Sequence, residues 1–221
     1  MSLFGWEPGA CRVGPMGQDG EMTNWHCTFH YPRDWVEVVH QPAGGRGAPA
    51  LADQVREAVE RSPADPALPP PQQRVATVLP LVEQDAERAA ALSAHGFRDS
   101  TDGSPVEMHL TMWVEPRSHP DSVVDELDLL GTTVREAGVN LAPPEVTNVS
   151  LPAGPALRVR QLENVGRPDG RTEMVDCVDY WIPVDRSADM LWVQMWTADL
   201  AAAHNVVSLF DRIAGELVVE V

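Results

Sequence analysis

The sequence predicts an α+β fold in which helices flank a central antiparallel β-sheet, an α/β/α sandwich. Three observations favour this class. Four segments of the second half alternate apolar and polar residues and follow one another closely, as antiparallel strands do. Residues 167–170, Arg-Pro-Asp-Gly, lie between two of these segments and are typical of a hairpin turn. Apolar residues then recur at helical spacing and predict one amphipathic helix over residues 199–217.

The first predicted element is a β-hairpin over residues 25–40, where apolar and polar residues alternate before a proline turn and valines follow it. The register that keeps apolar residues on one face places Tyr31 opposite Val36 and Phe29 opposite Val38. We therefore expect these two strands to pair with each other.

A helix, a proline-rich loop and a second helix come next. Four apolar side chains share one helical face over residues 51–61. The prolines of residues 62–71 exclude a helix or an inner strand and predict an extended loop. Residues 72–79 fit either a short strand or the start of a helix. The second helix is predicted over residues 81–95, with Gly96 at its C-terminal cap.

The remaining elements have clearer patterns. Residues 106–115 alternate strictly and predict a strand with one apolar and one polar face. A helix is predicted over residues 120–137, because its first turn is acidic and Gly138 ends it. The four strands of the second half are predicted over residues 145–151, 156–164, 174–184 and 189–197.

Composition limits the domain count and the partners. A chain of 221 residues can bury one large core, so we expect one domain over residues 22–221 after an N-terminal tail of residues 1–21. The formal net charge is −17, which argues against nucleic acid and anionic membranes. Such a charge can steer the chain toward a basic protein partner, and the alternative is that it only aids solubility. All 16 basic residues are arginines, which excludes Schiff-base and phosphate-loop lysines.

The cysteines and the N-terminus indicate the compartment. Cys11, Cys27 and Cys177 are far apart and match neither a disulfide framework nor a zinc-binding spacing. The first residues lack the basic start and the apolar run of a signal peptide. No window contains the roughly 18 apolar residues of a membrane span. We therefore expect a cytoplasmic protein.

Three short strings resemble the PsbP-like fold family. They are the aromatic-Pro-x-x-Trp turn at residues 31–35, the Leu-Pro-x-Gly-x-Ala strand start at residues 151–156 and the Leu-Phe-Asp-x-Ile-Ala segment at residues 209–214. This family includes the photosystem extrinsic subunit PsbP, a Ran-binding protein and LpqN-type bacterial lipoproteins. The resemblance covers about residues 22–221 and implies partner binding, with no catalytic motif to transfer. The sequence differs from the lipoproteins in that it shows no export signal.

An aromatic surface is the candidate partner-binding site. Neither face of the strand over residues 189–197 is polar, so either helices cover both faces or part of the aromatic face is an open groove. Two arginines on a strand of the same sheet can stack on such a face or pair with carboxylates. The candidate residues are Trp113, Trp181, Trp192, Trp196, Arg158 and Arg160.

Two other groups suggest different chemistry. Glu107 and His109 share a strand face, and a carboxylate beside an imidazole can perform acid–base work. His26, Cys27 and His30 resemble metal ligands, but Cys27 projects away from both histidines, which lie about 13 Å apart along a strand.

The prediction is therefore a non-enzymatic protein-binding module, which would act as an adaptor, chaperone or inhibitor, without a cofactor or metal. One alternative is a small-molecule-binding or metal-binding protein, or an enzyme, that uses the face of Glu107 and His109. Another is a structural component of a larger assembly.

Overall fold

The computed structural model describes residues 25–28, 30–32, 35–40, 50–62, 68–99, 105–119, 121–137, 141–167 and 169–221. The predicted tail of residues 1–21, Phe29 and the centre of the proline-rich loop lie outside these residues.

The described chain forms helices and strands in a mixed order. The helices are α1 (Leu51–Arg61), α2 (Pro71–Glu87), α3 (Val123–Glu136) and α4 (Ala203–Gly215). The strands are β1 (His26–Thr28), β2 (Val36–Val39), β3 (Leu92–Asp99), β4 (Pro105–Pro116), β5 (Glu145–Leu151), β6 (Gly154–Gly166), β7 (Thr172–Pro183), β8 (Asp189–Thr197) and β9 (Val218–Glu220).

Seven strands form one antiparallel sheet in the order β2-β3-β4-β8-β7-β6-β5, and β1 pairs with β9 in a separate ribbon. The predicted α+β class with an antiparallel sheet is confirmed. The predicted hairpin at residues 167–170 is also confirmed, because it joins β6 to β7. None of the described helices is long and apolar enough to cross a membrane.

Helix α4 covers one face of the sheet. Phe210 and Ile213 of this helix are almost completely buried and belong to one cluster with Leu110, Tyr180 and Met195 of the central strands. Each such side chain contributes about 1.5–3 kcal/mol on burial. This layer supplies the main core and holds β4, β8 and β7 together.

The other three helices lie on the opposite face. Helices α1 and α2 cover the β2–β3 end, where Val55 and Val82 pack with Val36 and Phe97. Helix α3 covers the β6 end through Leu127, which packs in a cluster with Leu157 and Val159. The middle of this sheet face lies between the two helical covers.

The hairpin predicted for residues 25–40 is wrong. Cys27 of β1 pairs with Val219 of β9, whereas Val36 of β2 pairs with His95 of β3. Both strand patterns are present, but each strand finds a partner far away in sequence. Local alternation defines a strand and a buried face, and it does not identify the neighbouring strand.

The second helix was predicted with the wrong bounds. Helix α2 begins at Pro71, continues through Pro80 and ends at Glu87, and residues 92–99 form β3 instead of helix. Residues 72–79 are therefore helical. Ala89 has a positive φ of 57° in the turn that separates the two elements. The alanine-rich sequence has high helix propensity, but the open position between β2 and β4 favours a strand.

Gly96 is a strand residue and not a helix cap. A Cβ atom at this position would overlap the indole of Trp35, which is 4% exposed. The close approach of a tryptophan ring to the backbone of β3 therefore requires a glycine here.

We predict that Gly96→Ala lowers the free energy of unfolding by about 1–3 kcal/mol, because the added methyl group overpacks the Trp35 site. Urea unfolding followed by circular dichroism measures the change. The matched control is Gly215→Ala at the end of α4, where a Cβ atom meets nothing within 4 Å. The account of Gly96 is wrong if both variants unfold at the urea concentration of the parent chain.

A tryptophan-lined cleft as candidate functional site

A cleft of about 430 Å³ lies on the sheet face between α2 and α3. Strands β4, β8, β7 and β6 form its floor. Leu81 and Gln84 of α2 line one side, and Val134 of α3 lines the other. The cleft exists because the two helical covers on this face leave the centre of the sheet open.

Three indole rings stack side by side on the floor. The centroids of Trp113 and Trp192 are 4.4 Å apart, and those of Trp192 and Trp181 are 4.5 Å apart. The strand register causes this arrangement, because Trp192 of β8 lies directly opposite Trp113 on one side and Trp181 on the other. Cross-strand aromatic pairs of this kind stabilise a sheet and fix its register.

Trp196 borders the cleft two pleats further along β8 and is mostly covered. It is 4% exposed and packs with Leu81, Val175 and Cys177. Its ring stacks on His109 at 4.9 Å. The four candidate tryptophans thus lie on one face of the sheet, with Trp196 in the wall of the cleft.

The two candidate arginines lie on the opposite face. Arg158 of β6 donates to Asp211 of α4 at 2.7 Å, and Arg160 donates to Asp176 of β7 at 2.7 and 3.1 Å. The possibility that these arginines stack on the tryptophan face is therefore excluded. Their carboxylate contacts agree with charge pairing within the fold.

A buried aspartate lies on the cleft floor beside the indoles. Asp179 of β7 is 3% exposed and lines the cleft. Its Oδ1 accepts hydrogen bonds from Trp192 Nε1 at 2.8 Å and from Gln194 Nε2 at 3.1 Å. Its Oδ2 has longer contacts, to Gln161 Nε2 at 3.4 Å and to the Cys177 thiol at 3.6 Å. All four of these donors are uncharged.

Burial perturbs the titration of Asp179. Burial raises the pKa of Asp179 to about 7, and the nearby carboxylate of Glu163 adds to this effect, while the hydrogen bond from Trp192 opposes it. Burial also raises the pKa of Glu163 and that of the Cys177 thiol, the latter well above its ordinary value. Asp179 and Glu163 of the cleft, and the buried Cys177 thiol beside Asp179, therefore resist ionisation.

A second polar cluster ties α2 to the sheet at the end of the cleft. Asp85 Oδ2 accepts hydrogen bonds from Ser93 Oγ at 2.6 Å and Thr111 Oγ1 at 3.2 Å, and lies 3.1 Å from His109 Nε2. Burial alone would raise the pKa of Asp85, but the nearby His109 and the hydrogen bonds keep it below its ordinary value.

The same cluster contains a contact between two histidines, because His109 Nδ1 lies 2.9 Å from His95 Nδ1. Burial lowers the pKa of His95 well below its ordinary value, so this ring is neutral.

Two groups of side chains place possible metal-ligand atoms within 4.8 Å of one another in the described residues. They are Asp85, His95 and His109, and Glu163, Cys177 and Asp179. In the first group, His109 contacts Asp85 and His95 through its two opposite ring nitrogens. A single metal ion cannot replace both the Asp85 and the His95 contact of His109 unless the side chains move. Hydrogen bonding accounts for the arrangement of these three side chains.

The other residues considered for metal or acid–base chemistry are separated. Glu107 forms an ion pair with Arg167 at 3.1 Å, and His26 Nε2 lies 2.6 Å from Glu220 Oε2 in the β1–β9 ribbon. Cys27 packs in the core on the α4 side. His109 is among the described residues that line the cleft, whereas its predicted partner Glu107 is not.

Sequence reasoning missed Asp179. Its signal is the string Val-Asp-Cys-Val-Asp-Tyr-Trp-Ile at residues 175–182, in which two aspartates interrupt an apolar strand at the centre of the sheet. Charged residues in such a strand need a partner or a function. Asp176 has Arg160 as its partner on one face, and Asp179 faces the cleft.

The comparisons with known proteins add little to this geometry. No family model and no curated protein matches the sequence. A similar solved structure is the crystal structure of LpqN, a protein involved in cell envelope biogenesis of Mycobacterium tuberculosis. That similarity covers 96% of this chain and 92% of LpqN, with a TM-score of 0.44 and 8% identity. A likeness at this level supports no argument about function, and membership in the PsbP-like family stays a prediction.

We predict that Asp179→Asn stabilises the protein by about 4 kcal/mol near pH 8 and has little effect near pH 4. The unfolded chain releases the Asp179 proton near pH 4, whereas the folded chain keeps it until about pH 7. Between these values the unfolded state binds fewer protons, so the aspartate costs stability as pH rises. Urea unfolding at several pH values measures this difference.

The control is Asp176→Asn on the other face of the same strand. It removes the charge that pairs with Arg160. We expect this variant to lose about 1–3 kcal/mol near neutral pH. If both variants destabilise the protein by similar amounts near pH 8, Asp179 is a compensated structural carboxylate.

Proposed function

We propose that this chain is a non-enzymatic binding protein that holds a small organic molecule in the cleft between α2 and α3. The observation that carries the proposal is a ligand-sized cavity with a floor of three stacked indoles beside a buried carboxylate.

The size and lining of the cleft support this function. Small-molecule sites typically have volumes of about 300–1,000 Å³ and combine apolar walls with a few convergent polar groups. Here the volume is about 430 Å³. The indoles offer apolar surface, and the side chains of Asp179, Gln161 and Gln194 meet at one point on the floor.

The energetic cost of Asp179 also supports a functional cleft. A buried carboxylate without a cation destabilises the folded protein, and natural proteins tolerate such groups chiefly where function requires them. The folded protein would be more stable with a hydrophobic residue or an asparagine at this position.

Binding is favoured over catalysis by the state of the reactive groups. The Cys177 thiol beside Asp179 is buried and its raised pKa keeps it protonated, so it is a poor nucleophile. Both ring nitrogens of His109 are engaged by neighbouring side chains. The thiol is therefore not prepared for nucleophilic attack, and His109 is buried among these contacts.

Binding of a protein partner through Trp113, Trp181, Trp192 and Trp196 stays a prediction. These rings lie within a concave surface between helices, so a flat protein surface would not contact them. A projecting side chain or peptide segment with the chemistry of a small ligand fits the same cleft. Cytoplasmic localisation and a role in a larger assembly also stay predictions.

We predict that a screen of small metabolites by saturation-transfer NMR yields ligands whose affinity falls at least about tenfold in Trp192→Phe. This substitution removes the hydrogen bond to Asp179 and part of the stacked floor. Isothermal titration calorimetry on the confirmed ligands measures the affinities.

Trp25→Phe is the matched control. Trp25 Nε1 also donates to a carboxylate, Asp189, at 2.7 Å, but Trp25 packs in the core on the α4 side. We expect unchanged affinity in this variant. The proposed site is rejected if the ligands bind Trp192→Phe as tightly as they bind Trp25→Phe, or if the screen yields no ligand.

A further inference from the structure

The charges that face the cleft are unbalanced. The acidic lining residues are Asp85, Glu115, Glu163 and Asp179, and Arg88 is the single arginine among the described lining residues. A cleft with this charge distribution attracts cations and repels carboxylates and phosphates.

Two of the acidic residues differ from the others in their surroundings. Asp85 accepts hydrogen bonds from two hydroxyl groups and lies 3.1 Å from His109 Nε2. Asp179 and Glu163 have amide, indole and thiol neighbours instead, and the Gln161 amide lies between the two carboxyl groups. When Asp179 and Glu163 ionise, the floor of the cleft therefore carries negative charge that no ion pair among the described residues neutralises.

Two arginines near the cleft, Arg160 and Arg167, are engaged elsewhere. Arg160 binds Asp176 on the opposite sheet face. Arg167 forms ion pairs with Glu107 at 3.1 Å and Glu173 at 3.0 Å, and its guanidinium lies over the Trp196 ring. No ion pair joins either arginine to Asp179 in the part of the chain that the structure describes.

We infer that the ligand of this cleft is an organic cation whose ammonium group lies against Asp179 and Glu163 and whose hydrocarbon part lies on the indoles. This inference rests on the proposed small-molecule function and names its ligand class. An ammonium group donates hydrogen bonds to carboxylate oxygens and is attracted to nearby aromatic rings. It supplies the positive charge that the buried aspartate lacks.

Asp179 Oδ2 is the atom best placed for this contact. The two short hydrogen bonds to this carboxylate both go to Oδ1, whereas the contacts to Oδ2 are 3.4 and 3.6 Å long. Oδ2 thus keeps accepting capacity, and a charge-assisted hydrogen bond there is stronger than those it has now.

Binding of an ammonium group requires an ionised carboxylate. The folded protein holds a proton on Asp179 up to about pH 7. Ligand binding below this pH must therefore release that proton, and the affinity must weaken as pH falls. A neutral ligand of the same shape lacks this dependence.

The test compares matched amines and alcohols, beginning with 2-phenylethylamine and 2-phenylethanol and extending to longer homologues that fill the cleft. Isothermal titration calorimetry on the full chain near pH 8 should show the amines binding at least about tenfold tighter than the alcohols. Below about pH 7 the amine affinity should fall by up to about tenfold per pH unit.

The decisive variant is Asp179→Asn, which keeps the shape of the side chain. It should reduce the amine preference to less than about threefold and remove the pH dependence, while the alcohol affinity is unchanged. The control Asp128→Asn removes one negative charge from the exposed face of α3 and should behave as the parent chain. A parallel titration with Zn²⁺ tests whether Glu163, Cys177 and Asp179 hold a metal instead.

The outcomes separate the two proposals. If alcohols and amines bind equally, the cation inference fails and the small-molecule function stands. If Zn²⁺ binds in an Asp179-dependent manner and displaces the amines, the cleft is a metal site and the inference is overturned. If neither series binds, the inference fails, and the metabolite screen alone decides the proposed function.

Discussion

The structure depends on the requirement that both faces of the central strands be covered. Along β4, β7 and β8, one set of alternate residues is apolar apart from the paired Asp176 and packs under α4, which supplies the main core. The other set includes indoles, amides and carboxylates, and it faces α2 and α3. Because those two helices cover the ends of that face, its centre remains a concave surface. The cleft thus forms because α4 covers one face of the sheet while α2 and α3 cover only the ends of the other.

The two aspartates of β7 show how the faces differ in chemistry. Asp176 projects toward the α4 side, where Arg160 neutralises it. Asp179, three residues later, projects into the cleft, where uncharged donors surround it. Hydrogen bonds from neutral groups offset only part of the cost of burying a charge. The same residue type therefore stabilises one face of the strand and leaves the other ready to accept a cation.

The sequence predictions were correct for elements that local interactions form and wrong for pairings between strands that are distant in sequence. Strands β4 to β8 and the hairpin at residues 167–170 were predictable, because alternation and turn residues act locally. The partners of β1 and β2 were not, because β9 and β3 lie far along the chain. The sequence of β3 has helical propensity, and Gly96 was interpreted as a cap although its role is to admit the Trp35 ring. The four tryptophans were found by their aromatic character. By contrast, the position of Asp179 in the cleft and the carboxylate partners of Arg158 and Arg160 required knowledge of the strand order.

The sequence by itself determined the α+β class, the antiparallel arrangement of the second half and the shared face of Trp192 and Trp196, since these follow from periods of two and 3.6 residues. The tertiary structure decided that Trp113, Trp192 and Trp181 stack, because stacking requires β4, β8 and β7 to be neighbours in register. It also decided which carboxylates have cationic partners. Pairing between distant strands fixes distances across the sheet, and no local pattern contains that information.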